Sequence, residues 1–157
     1  MTPTKVDQTI FVTDHPKRLG NCVAACVASA LGLRLEQVPH FIEFGIYYGD
    51  KPDPKDTSSG SAWFAMMAGF FAGHGVWPVT VESVDHAEPG ELVFVHGPSP
   101  RGVGHQVLYR DGRLWHDPHP SRDGLLSIST DGSLFVLRPL PEVGFDHAPV
   151  GRAREAS

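Results

Sequence analysis

The sequence predicts an α+β fold, with helices in the first half packed on an antiparallel β-sheet in the second. Apolar residues recur at helical spacing within 23–31, and a long apolar segment follows at 62–75. After Gly75 the chain breaks into short apolar runs separated by turn residues. The links between those runs have room for hairpins but not for parallel crossovers. A chain of 157 residues suffices for one domain with its own core and is short for two, so 1–157 is read as a single domain.

Residues 1–19 show no periodicity and read as an irregular arm. Val23, Cys26, Val27, Ala30 and Leu31 then fall at i, i+3, i+4, i+7 and i+8, which is one face of a helix. Gly20 and Asn21 supply its start, with Asn21 as the N-cap, and Gly32 supplies its stop. A short helical turn is expected at Leu35–Val38, before Pro39. The stretch YYGDKPDPKDTSSGS, 47–61, reads as a loop and a candidate lid. AWFAMMAGFFAGHG reads as a buried helix closed by Gly75. Strands are expected at Val76–Val81, Leu92–His96, Gln106–Arg110, Arg113–His116, Leu125–Ile128 and Leu134–Leu137. Residues 145–157 are polar and read as a frayed tail.

Composition narrows the function. Hydrophobic residues make up 41% and charged residues 20%, ordinary for a globular domain. The net charge of −5 and the scattering of Lys and Arg argue against a nucleic-acid or anionic-membrane surface. No secretory signal and no apolar run of about 20 residues is found. The two cysteines, Cys22 and Cys26, sit one helical turn apart, where a disulfide rarely closes. A reduced, cytoplasmic protein is therefore expected.

Cys22 would be the first residue of its helix. Unpaired N–H groups and the helix dipole favour a thiolate there, the nucleophilic form of the side chain. Cys26 lies one turn further in and reads as a small core residue. In GVGHQVLYRDGRLWHDPHP, His105 opens a strand and Asp117 ends the next. A two-residue Asp111-Gly112 turn would pair Arg110 with Arg113 and put Asp117 on the face away from His105. A three-residue Arg110-Asp111-Gly112 loop would pair Tyr109 with Arg113 and set His105 opposite Asp117. The three-residue register is the expected one, with Asp117 orienting His105 and His105 serving Cys22 as base.

These segments resemble the papain-like cysteine peptidases over roughly residues 7–140. In layout they are similar to bacteriocin-leader-processing peptidase domains, in which a helix-start Cys precedes a His-led strand and an Asp-Pro. They also resemble small proteins of bacteria and their phages that carry Gly20-Asn21-Cys22, Val38-Pro39-His40-Phe41 and the sequence from His116 to Ser121. The resemblance implies a papain-like fold and a Cys–His–Asp site. It also implies a glutamine upstream of the Cys as an oxyanion donor. Gln8 is the only upstream glutamine, 14 positions before Cys22, and its alternative is an ordinary polar residue of the arm. Asn21 is a second candidate at the substrate.

A thiol hydrolase, most readily a cysteine peptidase with a peptide or protein substrate, is the resulting expectation. Deamidases and transglutaminase-type acyl transferases use the same three residues. A catalytically silent module binding a peptide partner is the reading from another class. Trp63 and its aromatic neighbours read as core, with Trp63 also a candidate for the substrate groove, and Tyr48 borders the loop as a candidate gate. His116, Asp117 and His119 are metal-ligand types, but Pro118 breaks their alternation and no second cluster completes a shell. No metal and no cofactor is expected.

Overall fold

Ten consecutive residues with almost no polar side chains, CVAACVASAL, leave helix α1 (Cys22–Leu31) no face for solvent. All but Ala30 are buried. The computed structural model describes residues 2–14, 17–43, 60–130 and 133–141. The 145–157 tail and Tyr48, with nearly all of the 47–61 loop, lie outside them. At the end of α1, Gly32 takes a left-handed φ of 67°, and its N–H reaches back to Ala28 and Ser29 carbonyls. A Cβ at Gly32 would stand 2.3 Å from the Thr2 carbonyl oxygen, so glycine answers both the turn and the close packing of the arm. A 3₁₀ turn follows at Leu35–Gln37. Further on, helix α2 is Gly60–Gly73.

The sheet is antiparallel throughout. Strands β1 (Thr13–Asp14) and β2 (Lys17–Arg18) form a minimal hairpin in the arm. The main sheet contains β3 (Val76–Thr80), β4 (Leu92–Pro98), β5 (Gly104–Arg110), β6 (Arg113–His116) and β7 (Phe135–Pro139). Its order is β3-β7-β4-β5-β6. Helices first and a five-stranded antiparallel sheet second make this an α+β chain. Leu125–Ile128 is not a strand. It runs beside β4, held by Leu126 N–H to Pro98 O at 2.8 Å, and Ser129 N–H bonds His96 O at 2.8 Å. No single helix among the described residues is long and apolar enough to cross a membrane.

Alternation along β4, β5 and β7 splits the apolar residues between two sides. Phe94, Leu108 and Phe135 join α1, Phe41 and Phe71 in the main core. Phe94 and Phe135 stack there with centroids 4.5 Å apart, and Phe71 meets both edge-on. Val93, Val95, Val107 and Val136 form a smaller cluster with Val81 and Leu134. The arm is tied onto α1 through Ser29, whose Oγ accepts from Val6 N–H at 2.9 Å while its carbonyl accepts from Thr4 N–H at 2.9 Å. Gln8 N–H then donates to Pro118 O at 3.0 Å, so the arm reaches the end of β6.

Candidate active site

Cys22 is the first residue of α1, where its own N–H has no intrahelical acceptor. Asn21 precedes it, but not as the expected side-chain cap. Its Oδ1 accepts from the N–H groups of Thr9, at 3.1 Å, and Ile10, at 2.9 Å. With its amide also donating to Thr9 Oγ1, the side chain is committed to the arm and does not line the cavity at Cys22. The reason is competition: two N–H groups of a strand-poor arm need an acceptor, and Asn21 is the one within reach. Cys26 is fully buried, its thiol donates toward Gln106 O at 3.4 Å, and burial pushes its pKa well above the ordinary thiol value.

His105 stands at the start of β5 and is buried. Its Nε2 donates to Asp117 Oδ1 at 2.6 Å, and Cys22 lines the same cavity, near enough to favour the charged ring. Burial opposes charge on this ring, but the bond to Asp117 and the nearby Cys22 outweigh it and raise the pKa from 6.5 to about 9. Asp117 is 2% exposed. Burial would raise its pKa, yet bonds from His105 and from the N–H groups of His119 (2.8 Å) and Gly124 (2.7 Å) bring it from 3.8 to about 2.

The route to this pairing differs from the expected register. The β5–β6 turn has two residues, Asp111 and Gly112, both at positive φ (51° and 76°), and Arg110 pairs with Arg113. That register alone would turn Asp117 to the wrong face. A β-bulge corrects it: Tyr109 pairs with Leu114 but Leu108 pairs with His116, leaving Trp115 as the extra residue. Continued past the bulge, Asp117 shares a face with His105. Behind Asp117, Arg122 donates to its carbonyl oxygen and holds Asp7 through two bonds of 2.6 and 2.8 Å, pinning the arm to the 117–124 turn.

Cys22 and His105 open on a cavity of about 240 Å³, which Gln8 and His119 also line. Its apolar wall is Phe11, Val12, Leu19, Ile42 and Val103, and Arg101 stands at one side. Gln8 is buried, its Nε2 donates to Ile10 O at 2.9 Å, and its Oε1 has no partner among the described residues. One Nε2 hydrogen is left for another acceptor. His40 donates from Nε2 to Leu19 O at 3.1 Å and accepts at Nδ1 from Glu43 N–H at 3.3 Å, joining two walls of the cavity. The described walls do not include Trp63, which packs against the main core.

The structure therefore brings together Cys22, His105, Asp117 and Gln8. Sequence reasoning missed Arg101 as a cavity residue and weighed His119 only as a metal ligand. His119 lines this cavity, whereas His116 faces another hollow with Lys5 and Arg122 and donates from Nε2 to Val6 O at 2.8 Å. Among the described residues no three of His, Cys, Asp and Glu converge as around a metal ion. No protein-family model, curated protein or solved structure matches the chain.

Proposed function

We propose that this chain is a thiol hydrolase of papain-like type that cleaves an amide bond in a peptide or protein. The observation that carries the reading is the buried Asp117–His105 pair, whose imidazole shares a cavity with Cys22 at a helix N-terminus. The arrangement of a helix-start Cys on a helix packed against an antiparallel sheet supports the papain-like assignment.

His105 takes the thiol proton, and Cys22 Sγ adds to the scissile carbonyl carbon while the C=O electron pair moves onto oxygen. The Cys22 N–H and the remaining Gln8 Nε2–H are the donors available to that oxyanion. Collapse breaks the C–N bond, and His105 hands its proton to the leaving amine. Water then attacks the thioester, giving its proton to His105, and the acid product leaves as the thiol reforms. Asp117 keeps the ring oriented and its charged form stabilised throughout.

The test is the pH dependence of alkylation at Cys22, located by mass spectrometry, in the native protein and in His105→Ala. Rapid labelling at about pH 6 that disappears in His105→Ala is the expected result. A labelling midpoint near about 8.5, the same in both proteins, would sink the proposal.

A further inference from the structure

The cavity beside Cys22 has an asymmetry that the hydrolase reading does not use. Arg101 is the one permanently charged residue among its described lining residues, and no Asp or Glu stands with it. His119 does not share that role. Its Nδ1 accepts from Ser121 N–H at 3.0 Å, and burial together with Arg101 lowers its pKa.

Arg101 is also held in place. The β4–β5 loop that carries it is closed by Ser99, whose N–H and Oγ both donate to Val103 O, at 2.9 and 2.8 Å. Gly102 N–H bonds Ser99 O at 3.0 Å. The guanidinium itself donates from Nη1 to Ser121 Oγ at 3.0 Å, a neutral partner that fixes the group without cancelling its charge. Arg101 forms no ion pair with the described residues. In a chain of net charge −5, a fixed guanidinium that lines the same cavity as Cys22, with no carboxylate among the described lining residues, has the chemistry of an anion receptor.

Resting on the hydrolase reading, we propose that Arg101 selects substrates with a carboxylate on a residue flanking the scissile bond. An apolar side chain of the same substrate lies against Phe11, Val12 and Ile42. The carboxylate is either a chain-terminal α-carboxylate or an acidic side chain, since the guanidinium fork accepts both.

Two small alkylating reagents test this without knowledge of the natural substrate. Iodoacetate and iodoacetamide each lose iodide to the Cys22 thiolate, but only iodoacetate carries a carboxylate. Their rate ratio at Cys22, divided by the same ratio in the urea-unfolded chain, reports attraction of the anion, and the neutral reagent corrects for changes in the thiolate itself. Arg101→Gln should lower this normalised ratio by about tenfold, the effect of one unit charge acting over a few ångströms at a partly exposed site. Arg101→Lys should keep most of it, and salt should erode it in the native protein. A ratio in Arg101→Gln within about twofold of native, with iodoacetamide labelling still rapid and His105-dependent, overturns the carboxylate proposal and leaves the hydrolase reading standing. Slow labelling by both reagents, indifferent to His105→Ala, removes the hydrolase reading and this proposal with it.

Protection of Cys22 from iodoacetamide then separates the two carboxylate sources. N-acetyl-Leu-Gly as the free acid offers an α-carboxylate, N-acetyl-Leu-Glu amide a side-chain one, and N-acetyl-Leu-Gly amide neither. Stronger protection by either acid than by the neutral peptide supports the proposal and assigns the source. Equal protection by all three overturns it.

Discussion

Replacing Asp117 by Asn keeps its shape and removes its charge, and the surrounding hydrogen bonds determine the consequence. The carboxylate accepts from three donors: His105 Nε2 and His119 N–H on Oδ1, and Gly124 N–H on Oδ2. An amide has one oxygen for the same three. With that oxygen at the Oδ1 position, the new NH₂ faces Gly124 N–H, donor against donor. With it at Oδ2, the NH₂ faces His105 Nε2, which must then give up its hydrogen. The proton moves to the nitrogen that serves Cys22, and the base is lost. In both cases the imidazolium loses a charged acceptor, an interaction of about 1.5–3 kcal/mol, so the Cys22–His105 proton transfer becomes about 10- to 100-fold less favourable. One unpaired buried donor costs about 1–3 kcal/mol of stability. A domain stable by about 5–15 kcal/mol still folds. Iodoacetamide labelling of Cys22 at about pH 6.5 should therefore slow by about 10- to 100-fold in Asp117→Asn, with Cys26 unlabelled in both folded proteins as an internal reference. Labelling within about twofold of native from about pH 5 to 8, in a variant shown to be folded by circular dichroism, would refute the reasoning.

Stability should follow pH through the same pair. His105 is raised from 6.5 to about 9, so its contribution is full below about pH 6.5 and is lost as pH rises through about 9. A shift of that size is worth at most about 3 kcal/mol, and denaturant titrations of His105→Gln should show a flatter alkaline limb than native. Asp117 is lowered from 3.8 to about 2, so its contribution is full above about pH 3.8 and fades as pH falls through about 2. Asp117→Asn should flatten the acid limb in the same titrations; an unchanged limb in either variant counts against the linkage. Gly32→Ala forces a Cβ to 2.3 Å from Thr2 O at a left-handed φ. It should cost about 2 kcal/mol or more in chemical denaturation and loosen the arm that carries Gln8; a loss under about 0.5 kcal/mol contradicts the close packing.

What was legible in the sequence is what local chemistry determines. Helix α1 and its end at Gly32 follow from apolar spacing and a left-handed glycine, and neither needs knowledge of distant residues. The strand ends near His105 and His116 follow from turn residues in the same way. The cavity does not, because its walls come from the arm, the start of α1, the residues after Pro39, the β4–β5 loop and the turn after β6. Arg101 and His119 carry no local signal for a meeting of that kind. Asn21 looked like a cap because the rule for caps is local, whereas the arm that claims its side chain lies 11 and 12 residues upstream. Leu125–Ile128 is apolar enough to read as a strand, yet its Leu126 N–H bond to Pro98 O does not extend into a ladder along β4.

The β5–β6 hairpin shows how a local rule can fail in detail while a distant constraint still holds. Asp111-Gly112 specifies a two-residue turn, and both residues adopt the positive φ that such a turn requires. From Arg110 back to His105 is five steps, and from Arg113 on to Asp117 is four, so parity places the two side chains on opposite faces. The bulge at Trp115 removes one step from the count and restores the match. Trp115 packs against the main core, and the Lys5 Nζ lies 5.3 Å from the centroid of its ring, so the extra residue has somewhere to go. Deleting Trp115 tests this directly. A regular hairpin then carries Asp117 on the His105 face by count alone. The variant should lose stability, from the lost Trp packing, yet keep Cys22 labelling at about pH 6.5 within about tenfold of native. If the folded deletion variant instead labels as slowly as Asp117→Asn, parity is not what the bulge supplies. Its kink, rather than its count, would then be what brings the carboxylate to the imidazole.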